Sequence, residues 1–67
     1  MLKKRSFTIA GHRTSVALEA EFWAALEEEA RDQGMALAAL VARIDGTREG
    51  GNLASNLRIH GLKRALG

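Results

Sequence analysis

The sequence predicts a mostly α protein with a short β ribbon at its N-terminus, and three observations support this. Residues 13–19 alternate polar or small side chains with apolar ones, which is the period of a strand. Two helical runs follow, and Gly34 divides them. The chain has only 67 residues and no cysteine, while 46% of its residues are hydrophobic. Because small domains without disulfides are often completed by a partner subunit, we expect a single domain, residues 1–67, that dimerises.

The N-terminal region contains two alternating stretches within residues 6–19, after a basic tail at residues 1–5. Gly11-His12 lies between them and suits a two-residue type II′ turn, which would pair Ala10 with Arg13 and Phe7 with Val16. A hairpin of this kind gives one apolar face, made of Phe7, Ile9, Thr14, Val16 and Leu18. A longer kinked strand that pairs with a second chain fits the same pattern. The sequence leaves both arrangements open.

Three helices are expected after the ribbon. Residues 20–33 place Phe22, Leu26 and Ala30 on one stripe, and Gly34 suits the position after the helix end. Residues 36–45 carry apolar side chains at i, i+3, i+4 and i+7, namely Leu37, Leu40, Val41 and Ile44. A loop is expected at residues 46–51. Asn52 is a favourable N-cap for a third helix at residues 52–66.

Charge is distributed unevenly, although the formal net charge is only +2. Residues 1–13 and residues 52–67 contain basic side chains and no acid, whereas residues 14–33 contain six acids and one basic residue, Arg31. A polyanion would be attracted to the ribbon and repelled by the first helix. A solvated basic tail beside a solvated acidic helix face, which includes Glu27, Glu28 and Glu29, explains the same pattern.

Several classes of function have no support in the sequence. No apolar run approaches the roughly 20 residues that span a bilayer, and no apolar segment of a signal peptide follows the basic start. No spacing indicates a catalytic triad, and Gly50-Gly51 lacks the frame of a phosphate-binding loop. His12 is read as a turn residue and His60 as half-buried. We therefore expect no enzyme, metal, cofactor or membrane partner, and a cytoplasmic location.

Three segments carry a resemblance to a known family: RSFTIAGHRTSVALEAEFWAAL, LAALVARID and GNLASNLRI. The chain resembles the ribbon-helix-helix DNA-binding proteins, the superfamily of the Arc and methionine repressors, over residues 13 to about 45. It is similar to a bacterial branch of short regulators from Arg5 onward. The resemblance implies that base-facing strand positions fall on Arg13, Ser15 and Ala17. Arginine can bind guanine with two hydrogen bonds, serine can bond several base edges, and alanine can contact a thymine methyl group.

The resemblance also implies phosphate contacts at the start of the second helix, through the backbone amides of Ala36 and Leu37. This chain has Met35-Ala36 where family members often have a serine or threonine cap. The basic tail, Lys3, Lys4 and Arg5, is expected to contact further phosphates. The residues expected in a shared dimer core are Val16, Leu18, Phe22, Trp23, Leu26, Leu37, Leu40, Val41 and Ile44.

The expected function is that of a homodimer, or a higher oligomer, that binds double-stranded DNA and regulates transcription as a repressor. Its antiparallel ribbon would enter the major groove. The extra strand before the reading strand departs from the family pattern, because a hairpin in each chain would give the dimer a four-stranded sheet that is too wide for the groove. The alternative function is a protein-interaction module, similar to an antitoxin with its protein partner.

Overall fold

The computed structural model describes residues 1–47 and 51–66, which form a two-stranded ribbon followed by three helices. The elements are, in chain order, β1 (Leu2–Ile9), β2 (His12–Glu19), α1 (Ala20–Asp32), α2 (Leu37–Gly46) and α3 (Leu53–Leu66). This architecture confirms a mostly α chain with an N-terminal ribbon and an added C-terminal helix. Half of the loop expected at residues 46–51, namely residues 48–50, lies outside the described residues.

β1 and β2 form an antiparallel hairpin within one chain, and the turn is one residue earlier than the sequence suggested. Ala10 and Gly11 occupy the turn with φ angles of 52° and 81°. Two positive φ values are typical of a type I′ turn, not of the type II′ turn expected at Gly11-His12. In this register Ile9 pairs with His12, and the ladder continues to the pairing of Leu2 with Glu19. The expected register would pair Leu2 with a residue of α1.

The change of register moves each cross-strand partner by two positions and therefore leaves the faces of the ribbon unchanged. Phe7 now pairs with Thr14, and Arg5 pairs with Val16. Phe7 and Val16 are buried on the helix-facing side, as the alternation predicts. The opposite side of the ribbon faces solvent.

The helix ends follow local sequence signals. α1 ends in a Schellman motif, in which the N–H of Met35 donates to the carbonyl of Ala30 at 2.9 Å and the N–H of Gly34 donates to that of Arg31 at 3.1 Å. Gly34 adopts the positive φ of 65° that this motif requires. At the start of α3, the side-chain oxygen of Asn52 accepts a hydrogen bond of 2.8 Å from the N–H of Ser55. Asn52 is thus the N-cap of α3.

The hydrophobic core lies between the ribbon and the three helices of a single chain. Leu18, Leu26, Leu40 and Val41 have no exposed surface, and Trp23 retains only 2%. These five, together with Val16 and Ile44, are residues expected in a core shared by two chains. The remaining two expected core residues, Phe22 and Leu37, are partly buried against the same cluster. A second chain is therefore not needed to bury this set.

Two further elements add residues to this core. β1 contributes Phe7 to the core, and α3 contributes Leu53 and Leu57. α3 packs closely on α1, because a Cβ atom added at Gly61 would lie 3.3 Å from the ring of Phe22. The core expected from the sequence included no residue of β1 or α3. None of the described helices has the length and hydropathy needed to cross a membrane.

Candidate nucleic-acid interface

The solvent-facing side of the hairpin forms the candidate interface, which we call the ribbon face. The hairpin register brings six side chains together there as three cross-strand pairs: Lys4 with Ala17, Ser6 with Ser15, and Thr8 with Arg13. A fourth pair of the same parity, Leu2 with Glu19, lies at the open end of the hairpin and is not counted in the ribbon face, because Glu19 binds Arg58 of α3. Five of them are exposed and Ala17 is half-buried. The hydroxyl oxygens of Ser6 and Ser15 lie 3.1 Å apart and are hydrogen-bonded. The three base-reading residues expected on β2 therefore lie on one surface.

The ribbon face has the composition of a surface that binds polar, anionic partners. Its six residues are two cations, three residues with a hydroxyl group and one alanine, and the acid at the open end of this side, Glu19, is paired with Arg58. Successive pairs on one face of a strand are about 6.8 Å apart, since the rise is about 3.4 Å per residue. The outer pairs are thus separated by roughly 14 Å. Hydrogen-bond donors, acceptors and positive charge are available along this length.

Lys4 and Arg13 keep their charges available on this surface. Neither side chain takes part in an ion pair with another residue in the described ranges 1–47 and 51–66. Both are exposed. An arginine in this state can meet a phosphate or a guanine without first breaking an internal ion pair.

Three acids, one directly before α1 and two in its second half, are compensated by cations from α3. Glu19 accepts a hydrogen bond of 3.0 Å from Arg58 of α3. A hydrogen bond to its own backbone, followed by the bond to Arg58, lowers the pKa of Glu19 below its usual value. Arg64 pairs with Glu28 at 3.2 Å and also with Asp32.

The hydrogen bond to Asp32 raises the pKa of Arg64 above its usual value. α1 is therefore less repulsive toward a polyanion than its sequence alone predicts, since each of these acids has a nearby cation.

The basic tail is divided between the two sides of the ribbon. Lys3 and Arg5 belong to the helix-facing side, because they pair with Leu18 and Val16. The guanidinium group of Arg5 binds Glu27 at 3.2 Å and lies 5.2 Å from the ring centroid of Trp23. Of the three residues expected to contact phosphate, the structure therefore brings only Lys4 to the ribbon face.

The start of α2, the other expected phosphate contact, is not placed beside the hairpin turn. Ala36 is the N-cap and makes no side-chain capping bond. It is Asp45, in the last turn of α2, that lines a small cavity with Ile9 and His12 at the turn. The end of α2 that lies at the tip of the hairpin is thus the opposite end from the Ala36 and Leu37 amides.

One polar site was not expected from the sequence. Glu29 is 7% exposed, although it was expected on a solvated helix face. Its carboxylate lies 2.6 Å from the Nε2 atom of His60 and accepts a hydrogen bond of 3.1 Å from Gln33. The spacing of Glu29, three residues after Leu26, could have indicated its position on the apolar stripe. His60 is half-buried, as expected, and no cluster of three potential metal ligands occurs within the described ranges.

Comparisons with known proteins give one finding. The family model of a ribbon-helix-helix domain matches residues 2–65, which is nearly the whole chain. No significant match was found among curated proteins or among solved structures.

Proposed function

Because the chain belongs to the ribbon-helix-helix domain family, we propose that it is a dimeric, sequence-selective DNA-binding protein that regulates transcription. Members of this family are generally DNA-binding regulators or antitoxins, bind DNA as dimers and are typically not enzymes. The observation that supports DNA binding by this chain is the ribbon face, which exposes Lys4 and Arg13 with no ion-pair partner among the described residues. As a bacterial repressor, the protein would act in the cytoplasm.

The dimensions of the hairpin favour the major groove as its binding site. The groove of B-DNA is about 12 Å wide and admits a two-stranded ribbon. The strands of a hairpin are about 4.8 Å apart, so side chains on its exposed face can reach the base edges between the two phosphate backbones. The ribbon face is the only hairpin surface available, since the other side covers the core.

Four residues of the ribbon face, and Lys3 of the adjoining basic tail, have proposed roles in DNA binding. Arg13 binds a guanine through two hydrogen bonds, Ser15 bonds a base edge, and Ala17 contacts a thymine methyl group. Lys3 and Lys4 contact phosphates and make affinity dependent on salt. The free amides at Ala36 and Leu37 are a further proposed phosphate site.

The outer edge of β2 favours a second candidate function, a protein-interaction module. In a two-residue hairpin, the pairs beside the turn alternate between hydrogen-bonded and non-hydrogen-bonded, starting with the hydrogen-bonded pair of Ile9 and His12. The backbone groups of Arg13, Ser15 and Ala17 therefore point away from β1. A second chain, or a different protein partner, could extend the sheet there by antiparallel pairing around Ser15.

Pairing at this edge and entry into the groove exclude each other. Two hairpins joined through β2 form four strands whose outer axes are about 14 Å apart, which exceeds the groove width. A DNA-binding dimer therefore leaves the edge of β2 open. Among the described residues, the large apolar side chains that remain exposed lie mainly on α3, at Ile59, Leu62 and Leu66. This surface of α3 is therefore the proposed contact between the two chains of such a dimer.

The function is tested by DNA binding measured at several salt concentrations. Fluorescence anisotropy with a random-sequence duplex at low salt reports the electrostatic attraction, and a duplex selected by the protein from a random library reports sequence preference. We expect binding at low salt that weakens steeply as salt is raised. Absence of binding to either duplex at low salt refutes the DNA-binding role and leaves the interaction module.

Arg13→Gln and Arg31→Gln form a matched pair for this test. Both remove one exposed arginine charge, but Arg31 lies in the last turn of α1 and is not part of the ribbon face. We expect Arg13→Gln to reduce affinity for the selected duplex about 5- to 150-fold, which corresponds to the roughly 1–3 kcal/mol of a bidentate contact. Arg31→Gln should change it by less than about twofold. Sedimentation analysis of the same samples measures whether the DNA-binding species is a dimer.

A further inference from the structure

β1 contributes as much to the ribbon face as β2 does. Lys4, Ser6 and Thr8 point to the same side of the hairpin as the proposed base-reading residues, because the register places each of them opposite one of those residues. No DNA contact was expected of Ser6 or Thr8 from the sequence. Thr8 offers a hydroxyl group and a methyl group, and it stands directly opposite Arg13.

β1 is firmly attached to the helices through its other side. The indole N–H of Trp23 donates a hydrogen bond of 2.8 Å to the backbone carbonyl of Lys3. Arg5 binds Glu27, and the buried ring of Phe7 lies 5.8 Å from that of Trp23. Removal of β1 from β2 would break these contacts together with eight cross-strand pairs. An arrangement in which β1 leaves, so that two β2 strands from two chains form the reading ribbon, therefore loses the contacts of Trp23, Arg5 and Phe7 and must replace the backbone pairs of β1.

We infer that each chain reads DNA with both strands of its own hairpin, and that Ser6 and Thr8 contact base edges beside Arg13 and Ser15. This inference rests on the proposed DNA-binding function. The ribbon is complete within one chain, and a dimer presents two such ribbons to two segments of groove. The three cross-strand pairs are about 6.8 Å apart, which equals about two base-pair steps of 3.4 Å.

Hydroxyl groups suit this role. Serine and threonine side chains can donate to or accept from base edges in the major groove. Of the two bonded hydroxyls of Ser6 and Ser15, one donates to the other and the second keeps its proton for a base. Thr8 can bond a base adjacent to the guanine contacted by Arg13, or place its methyl group against a thymine.

A covalent staple between the strands tests whether β1 stays in place on DNA. The variant Leu2→Cys/Glu19→Cys joins the pair at the open end of the hairpin, outside the six residues of the ribbon face. This is a non-hydrogen-bonded pair, whose Cα separation of about 4.5 Å suits a disulfide. The chain has no other cysteine, so a band of monomer mass on a non-reducing gel, together with the loss of both free thiols in a thiol assay, identifies the intrachain bond.

The oxidised and reduced forms of this variant are compared on the selected duplex. We expect their affinities to agree within about twofold. A loss of more than tenfold on oxidation, with the reduced form binding like the wild type, shows that β1 must leave, and overturns the inference while the DNA-binding function stands. Absence of binding by the wild type at low salt is a separate outcome, because it removes the function itself.

Thr8→Val and Thr14→Val provide a second test that needs no disulfide. The same substitution is made on the two sides of one hairpin, since Thr14 pairs with Phe7 on the helix-facing side. We expect Thr8→Val to lower the preference for the selected over the random duplex about two- to tenfold, as for one lost hydrogen bond, without a change in salt dependence. Equal effects of the two substitutions on sequence preference contradict a base contact by Thr8.

Discussion

Substitution of Gly11 by alanine is expected to destabilise the protein through the hairpin turn alone. Gly11 has a φ of 81°, and a Cβ atom added there would meet no heavy atom within 4 Å. Steric crowding with other residues therefore contributes nothing to the effect. The left-handed region disfavours an L-residue with a side chain by roughly 1–2 kcal/mol. Alanine also restricts the unfolded chain, which returns about 0.4–1 kcal/mol.

The net effect of Gly11→Ala is a loss of about 1 kcal/mol in the free energy of unfolding. A domain of this size loses about 4–8 °C in Tm per kcal/mol. Its total stability should be roughly 3–10 kcal/mol, so the variant remains folded and measurable. Thermal and urea unfolding, followed by far-ultraviolet circular dichroism, give the difference directly.

Gly46→Ala is the matched control for this prediction. Gly46 is the last residue of α2, its φ is not positive, and an added Cβ atom would again meet nothing within 4 Å. The same substitution should therefore stabilise the protein, by up to about 1 kcal/mol, because alanine favours helix and restricts the unfolded chain. If Gly11→Ala has a Tm equal to or above that of the wild type, the positive-φ turn at Ala10-Gly11 is wrong.

Three further perturbations test the contacts that hold the hairpin and α3 in place. Asn52→Ala removes the N-cap of α3 and should lower the free energy of unfolding by about 1 kcal/mol in urea titrations; an unchanged midpoint would argue against the cap. Trp23→Phe leaves the carbonyl of Lys3 without its indole donor and should lower the free energy of unfolding by about 1–3 kcal/mol in the same titrations. An unaltered free energy of unfolding would contradict this hydrogen bond. Glu19, whose pKa is lowered by its backbone and by Arg58, stabilises the fold above the unfolded-state pKa of about 4.3 and loses this contribution as pH falls through its lower folded-state pKa. Glu19→Gln should therefore lose less stability than the wild type between about pH 5 and pH 3, and parallel curves of stability against pH would disprove the linkage.

The faces of the ribbon could be predicted from the sequence, whereas its register could not. Alternation determines which side chains share a face, and these faces stay the same when each cross-strand partner moves by two positions. The turn depends on which residues adopt positive φ. Ala10 does so at 52°, although alanine has no intrinsic preference for this region. The extent of the ladder, which pairs all of β1 with β2, therefore determines the turn here more than its local composition does.

Most of the buried residues could likewise be predicted, whereas the contributions of β1 and α3 to the core could not. An apolar stripe shows that a helix face must be covered and does not identify the cover. Leu40 and Val41 were assigned to a dimer, yet Leu57 of α3 and Phe7 of β1 join the same core within one chain. Gly61 interrupts the apolar positions of α3 in the sequence, and the structure places it at the close contact with Phe22.

Positions of charged side chains depended most on tertiary structure. Arg5 was grouped with the basic tail, but the parity of β1 turns it toward Glu27 and Trp23. Glu29 was grouped with two acidic neighbours, yet it is buried against His60. Neighbouring positions of a helix or strand can face solvent and interior respectively. A run of like charges in the sequence therefore does not define a charged surface.

The open edge of β2 connects the two candidate functions, because both use the same hairpin. A partner that pairs around Ser15 widens the sheet beyond the major groove, whereas a hairpin inserted in the groove leaves no room for such a partner. The two states are therefore in competition, and a ligand that binds one of them depletes the other by mass action. Duplex DNA should accordingly reduce any assembly formed through the β2 edge, and an excess of an edge-binding partner should release the DNA. An increase in edge-paired species on addition of DNA would be incompatible with groove binding by a single hairpin.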